Sequence, residues 1–211
     1  MVKFLLIRHG QSQANFTKCF AGHLDSPATE LGLQQASIAA QYVAENYKID
    51  AIYSSDLKRA AAVGEAVARE TGLQMHLDEK LREINAGLWE GVSFVELIEK
   101  FPNYLVWRND IGNACCDGGE SVVQLQERIL GRLKEIAKDH PDQTVVIATH
   151  ATSIRVTQCY AEGRSLSEMK DIPWVSNASI TELDYDGVFH VVKIGYDGHL
   201  GGVISAMPAN A

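Results

Sequence analysis

Two short apolar runs each lead directly into a histidine, and this arrangement constrains the fold more than any other feature of the chain. Val2 to Ile7 leads into Arg8-His9-Gly10, and Thr144 to Ala148 leads into Thr149-His150. Runs of this length, rich in β-branched and large residues, read as buried strands. A third, Ala51 to Tyr53, ends in Ser54-Ser55-Asp56. Ligands of open α/β sheets sit outside the carboxyl ends of the strands. Three strands that finish in polar residues therefore predict one populated sheet edge.

Helical periodicity fills the intervals. Glu30 to Asn46 carries Leu33, Ala36, Ala40, Val43 and Ala44 at helical spacing. Leu57 to Glu70 is alanine-rich, with Gly72 at a C-cap position, and Ser54-Ser55-Asp56 is placed to cap its amino terminus. Glu120 to Asp139 places Val122, Leu125, Ile129, Leu133 and Ile136 on one face. A further helix is expected over 153–161, and a short one opens at Ser93 and stops before Pro102. Gln74 to Leu77 suggests another strand. The stretch 179–194 alternates as two antiparallel strands joined by Asp186-Gly187. The stretches 11–29, 81–91 and 109–119 read as loops, the first longer than an ordinary connection. No repeat, low-complexity linker or composition break divides the chain, so one α/β domain is expected.

A formal net charge of −8 argues against nucleic acid or an anionic membrane as partner. It also gives weight to any local cluster of cations. No apolar run reaches the roughly 18 residues that a membrane span requires, and no export signal is visible at the amino terminus. Cys19, Cys115, Cys116 and Cys159 form no zinc spacing and no small-scaffold disulfide framework. They read as reduced thiols of a cytoplasmic protein.

Gathered at one edge, the strand ends bring Arg8, His9, Arg59 and His150 together. Arg59 lies about one helical turn beyond Ser55, at a helix amino terminus that itself favours anions. Two guanidinium groups, two imidazoles and a helix end make a pocket suited to a phosphoryl group. Phosphoryl transfer needs a nucleophile, charge stabilisation and an acid for the leaving group. Histidine can be the nucleophile. Glu83, opening a glycine-punctuated loop, is the candidate acid, with Glu90 the nearby alternative. Taken singly, each of these residues reads as structural or solvated. His23, His76, His140 and His190 carry no supporting pattern and read as ordinary surface or edge residues.

Several stretches, in order, resemble the histidine phosphatase superfamily in its phosphoglycerate mutase-like branch. They are 4–15 around Arg8-His9-Gly10, 29–36, 53–60 with Arg59, 81–91 with Glu83, and Gly118-Gly119-Glu120-Ser121. The resemblance implies a three-layer α/β/α sandwich whose mostly parallel central sheet has an antiparallel edge. It implies a single domain over 1–211 with a substrate-specificity insertion at about 89–119. His9 would attack phosphorus and become a phosphohistidine. Arg8, Arg59 and His150 would hold the phosphoryl oxygens, Glu83 would serve as acid and then base, and Asn15 and Asn177 would be secondary phosphate-pocket residues. No metal and no cofactor is implied. The partner would be a small phosphorylated metabolite, and the oligomeric state is open, a homodimer included.

The leading expectation is a metal-independent phosphatase of small phosphomonoesters. A cofactor-dependent phosphoglycerate mutase is the alternative. Lys100 and Arg108 are the only cations between Glu90 and Gly119, too few for a second phosphate site, which favours hydrolysis. A catalytically weak phospho-ligand binding protein on the same fold is a third reading, and a zinc site on His9 and His150 lacks further ligands. Two departures stand out. Ala151-Thr152 replaces the two glycines usual after His150, which adds side chains at the pocket floor, and Asn85-Ala86 replaces a common acidic and aromatic pair. His199 is a candidate for a substrate-side role, Trp174 for a substrate wall, and Cys19 for a thiol near the pocket.

Overall fold

The computed structural model describes residues 1–205, so the last six residues of the expected domain lie outside it. In chain order the elements are β1 (Val2–Arg8), α1 (Gln13–Thr17), α2 (Glu30–Asn46), β2 (Ala51–Ser54), α3 (Lys58–Thr71) and β3 (Met75–Leu77). There follow α4 (Phe94–Lys100), α5 (Tyr104–Asn109), α6 (Val122–Asp139), β4 (Thr144–Thr149), α7 (Ala151–Ala161), β5 (Ile180–Tyr185) and β6 (Phe189–Tyr196). The six strands form one sheet in the order β3-β2-β4-β1-β5-β6. β3, β2, β4 and β1 run parallel, while β5 pairs antiparallel with both β1 and β6. The α/β/α sandwich with an antiparallel edge is thus the observed fold.

Strand alternation divides the apolar residues between two cores. Leu5, Ile7, Val146 and Ala148 face α2 and α3, which meet the sheet through Ala36, Ala39, Ala40, Val43, Val63, Ala66 and Val67. Small side chains let these helices lie close to the strands. Phe4, Leu6, Val145 and Ile147 face the opposite way, into a core with Leu125, Ile129 and Leu133 of α6 and Ile154 of α7. Trp89, Leu97, Tyr104, Trp107 and Ile111 belong to that same core, so the 89–119 region is anchored by burial rather than draped over the surface. Among the described residues, no helix is long and apolar enough to cross a membrane.

Two helices were not legible as such. α1 has five residues, too short to show a period, and exists through its ends: Ser12 and Asn15 form a capping box, and the Ala14 amide donates to Ser26 Oγ at 2.8 Å. α5 begins just after Pro102 and buries only Tyr104 and Trp107. The expected cap of α3 is also built differently. Leu57 occupies the cap position without a side-chain bond, Ser55 Oγ accepts from the Leu57 amide, and Asp25 from the distant 11–29 stretch accepts from the Lys58 amide at 2.8 Å.

Gly10 shows why the first triplet ends as it does. A Cβ placed there would lie 2.2 Å from the Gly32 carbonyl oxygen, and one on Gly32 would lie 2.0 Å from that of Gln11. Two backbones cross with no room for a methyl group, and Gly10 is not among the glycines with positive φ. Close approach, rather than an unusual turn, requires glycine here. Gly10→Ala is expected to destabilise the protein by about 2 kcal/mol or more, the scale of overpacking against atoms that cannot yield. Urea unfolding would measure it, and an unchanged midpoint would contradict the account.

Candidate active site

Strand register creates the site. β4 lies between β1 and β2, with Arg8 opposite Thr149 and Ser54 opposite Ala148. The ladder continues one step past the strands: the His9 amide donates to the Thr149 carbonyl and the Ser55 amide to the Ala148 carbonyl, both at 2.9 Å. His9, His150 and Ser55 are therefore neighbours by backbone pairing. The ring centroids of His9 and His150 are 5.2 Å apart.

A cleft opens beside them, and its lining includes Arg8, Asn15, Arg59, Glu83, Ala151 and Thr152. His9 and His150 are buried and do not line it, but each is adjacent in sequence to a residue that does, Arg8 and Ala151. Arg8 Nη1 donates to the Val175 carbonyl. The two Nη atoms of Arg59 donate to the Leu24 and Gly22 carbonyls at 2.9 and 2.7 Å, and its Nε is buried with no partner among the described residues. Burial lowers both guanidinium pKa values to about 10, with Glu83 acting in the opposite direction. Both remain charged at neutral pH.

Hydrogen bonding fixes the state of the His9 imidazole. His9 Nδ1 contacts the Gly10 carbonyl at 2.6 Å. A carbonyl only accepts, so the proton sits on Nδ1 and Nε2 keeps its lone pair. Burial, reinforced by the charges of Arg59 and Arg8, holds the His9 pKa well below 6.5. Burial and Arg59 do the same to His150. His150 Nε2 is 2.9 Å from Ser55 Oγ, which also receives the Leu57 amide. His150 Nδ1 is buried and has no partner among the described residues. A buried donor left unpaired costs about 1–3 kcal/mol. Arg59 Nε and His150 Nδ1 are both buried polar nitrogens without a partner among the described residues.

Glu83 closes the site from the other side. Its carboxylate accepts from the Ile84 amide at 2.9 Å and from the Thr152 amide at 3.1 Å, in the first turn of α7. His150, which precedes that helix, supplies no side-chain cap, and Glu83 takes the role. The carbonyl of Glu83 is held from behind by Arg128, whose guanidinium also binds the carbonyls of Lys80 and Arg82 and both carboxylate oxygens of Glu120. His23 Nε2 lies 2.9 Å from the same Glu83 carbonyl. Its reading as an ordinary surface residue therefore does not hold.

The family model of the histidine phosphatase superfamily (branch 1) matches residues 4–195. The chain belongs to this superfamily. Phosphoserine phosphatase 1 of Hydrogenobacter thermophilus is 32% identical over 203 residues, covering 95% of each chain. YhfR of Bacillus stearothermophilus has a similar structure, with a TM-score of 0.89 at 29% identity over 95% of this chain and 100% of that one. A mutant phosphoserine phosphatase of Entamoeba histolytica, solved in complex with phosphoserine, gives a TM-score of 0.82 at 27% identity, covering 95% and 100%.

In this superfamily member, Arg8, Asn15, Arg59 and Glu83 share the cleft, with His9 and His150 beside it. Asn177 does not line it. Its amide donates to the His9 carbonyl at 3.0 Å and to Asn15 Oδ1 at 3.3 Å, and accepts from Ser205. Asn15 Oδ1 is thereby occupied, accepting also from the Ser12 amide. Glu90, the alternative acid, is committed to the amides of His23 and Ala86. His199 lies apart from the cleft, stacked on Tyr42 and bonded at 3.1 Å to the Ala178 carbonyl, so it braces the 176–178 turn. Trp174 and Cys19 do line the cleft, as do Phe20, Phe94 and Trp107.

Arg128 and Arg155 were missed altogether. Arg155 had one available signal, its position one turn after Ala151 on the same helix. Arg128 had none, because its partners are backbone carbonyls remote in sequence.

Both imidazoles are expected to stay neutral as pH falls through 6.5 in the phosphate-free protein, because their pKa values are depressed. Long-range ¹H–¹⁵N NMR should show His9 with its proton on Nδ1 at pH 6, and a doubly protonated ring there would contradict the assignment. Arg128→Ala should lower kcat about tenfold or more through misplacement of Glu83, with a smaller change in KM because Arg128 lies outside the cleft. Unchanged kcat would remove Arg128 from this role.

Proposed function

We propose that this protein is a metal-independent phosphatase that hydrolyses small phosphomonoesters through a phosphohistidine at His9. The observation that carries the reading is His9, its Nδ1 on the Gly10 carbonyl and its ring 5.2 Å from that of His150, beside a cleft lined by Arg8, Arg59 and Glu83. Arg8, Arg59 and His150 hold the phosphoryl oxygens, and Asn15 adds amide donors. These fixed donors are aimed where charge accumulates in the transition state. Asn177 positions the His9 backbone and Asn15.

In the first step the His9 Nε2 lone pair forms a bond to phosphorus as the ester P–O bond breaks. The departing electron pair stays on the leaving oxygen, which takes the proton of the Glu83 carboxyl group. The bond from Nδ1–H to Gly10 disperses the positive charge that builds on the ring. In the second step the Glu83 carboxylate takes a proton from water as the water oxygen attacks phosphorus. The P–N bond breaks, its pair returns to Nε2, and inorganic phosphate leaves.

Hydrolysis fits better than mutase transfer between bound phosphates. The cleft's lining cations are Arg8 and Arg59, and one phosphoryl group engages both. No observation favours a purely binding role, since His9, Arg8, Arg59 and Glu83 are all present at or beside the cleft. We further assign residues 89–119 as the substrate-specificity segment of a single domain, because Phe94 and Trp107 reach the cleft from it. The relative solved with phosphoserine supports a small phosphorylated metabolite as partner.

p-Nitrophenyl phosphate in the presence of EDTA should be hydrolysed, and His9→Ala should abolish turnover. Glu83→Gln should fold and lower kcat by about 10²–10⁴-fold, the usual contribution of general acid–base catalysis. Full activity of His9→Ala would refute the mechanism.

A further inference from the structure

We propose that the cleft selects phosphomonoesters whose leaving group is aromatic or otherwise apolar and carries no second anionic group. This rests on the phosphatase reading above and concerns what is bound beside the phosphate. The rest of the lining is largely apolar, made by Phe20, Ala21, Phe94, Trp107, Ala151 and Trp174. The aromatic side chains brace one another. Phe20 meets Trp107 edge-on at 5.1 Å and Phe94 at 6.3 Å, and it packs against Trp89, which in turn meets Trp107 at 6.1 Å. Trp174 is held separately by the Arg155 guanidinium, 3.9 Å from its ring centroid. Arg155 is itself tied to the carbonyls of Met169 and Ile172 at 2.7 Å each.

The chemistry of this wall discriminates by charge. Ring faces carry negative quadrupole density, so they accept another ring or an alkyl group and repel an anion. A substrate carboxylate placed there loses its water without gaining a donor. The polar lining groups Asn15 and Thr152 adjoin the phosphate end, since Asn15 bonds Asn177 and Thr152 bonds Glu83. The guanidinium of Arg155, against Trp174, does not line the cleft, although its Nε and Nη1 are buried without partners among the described residues.

The test compares kcat/KM of the intact protein for 2-phenylethyl phosphate, methyl phosphate, phosphoserine and 3-phosphoglycerate. All are alkyl esters. The charged groups of serine make its oxygen the better leaving group, so a preference for the phenylethyl ester cannot come from leaving-group chemistry. The expected result is an advantage of about tenfold or more for 2-phenylethyl phosphate over both carboxylate-bearing substrates, the scale of a good apolar pocket. Trp174→Ala and, independently, Phe94→Ala should each shrink the phenylethyl-to-methyl ratio about fivefold or more. A merely structural loss would lower both substrates alike and would overturn the proposal. Faster turnover of phosphoserine or 3-phosphoglycerate would also overturn it while leaving the phosphatase reading intact. If Arg155→Met then removed that preference, the unpaired guanidinium nitrogens would be identified as a carboxylate site. Hydrolysis of none of the four would bring down the phosphatase reading together with the proposal.

Discussion

The hydrogen bond from the His9 amide to the Thr149 carbonyl is the constraint on which the rest of the site depends. It extends the β1–β4 ladder one step beyond the strands, as the Ser55-to-Ala148 bond does for β2 and β4. Backbone pairing sets separations to within tenths of an ångström at no conformational cost to the side chains concerned. Two imidazoles and a hydroxyl from residues 9, 55 and 150 are thereby placed by the sheet itself. Loops contribute the remaining groups, and their positions need separate support.

That support comes repeatedly from arginine bonded to backbone carbonyls. Arg8 holds Val175, Arg59 holds Gly22 and Leu24, Arg128 holds the 80–83 turn, and Arg155 holds Met169 and Ile172. The planar fork satisfies several orphaned carbonyls at once and keeps its charge when buried. In a chain of net charge −8, concentrating guanidinium groups around one cleft gives a local field opposite to that of the whole molecule. The same groups therefore stabilise irregular backbone and prepare a place for an anion. Gly10 and Gly32 complete the frame by letting two backbones cross where a side chain would not fit.

Much of this was legible in the sequence because it is local. The boundaries of α2 follow directly from its period, and α3, α6 and all six strands fall within a few residues of expectation. Arg8, Asn15, Arg59 and Glu83 reach one cleft, and His9 meets His150 beside it. What escaped was short or long-range. α1 is too brief to carry a period, and the cap of α3 comes from Asp25, more than thirty residues away. His23 and Arg128 act on the Glu83 carbonyl, a contact no motif encodes. His199 suggested a substrate contact by its position, whereas stacking on Tyr42 turns it into a brace.

The sequence by itself determined the sheet, its helices and the residue types delivered to its carboxyl edge, because burial periodicity and strand-end polarity are written along the chain. Tertiary structure alone decided the tautomer of His9, the buried nitrogens of Arg59 and His150 without partners among the described residues, and the capping of α7 by Glu83. It also decided the aromatic wall, which brings Phe20, Phe94, Trp107 and Trp174 to one cleft from distant parts of the chain. These properties depend on which groups meet across long stretches of chain and on what water has left behind. Hydrogen-bond satisfaction and desolvation are set by three-dimensional neighbours, and no linear pattern records them.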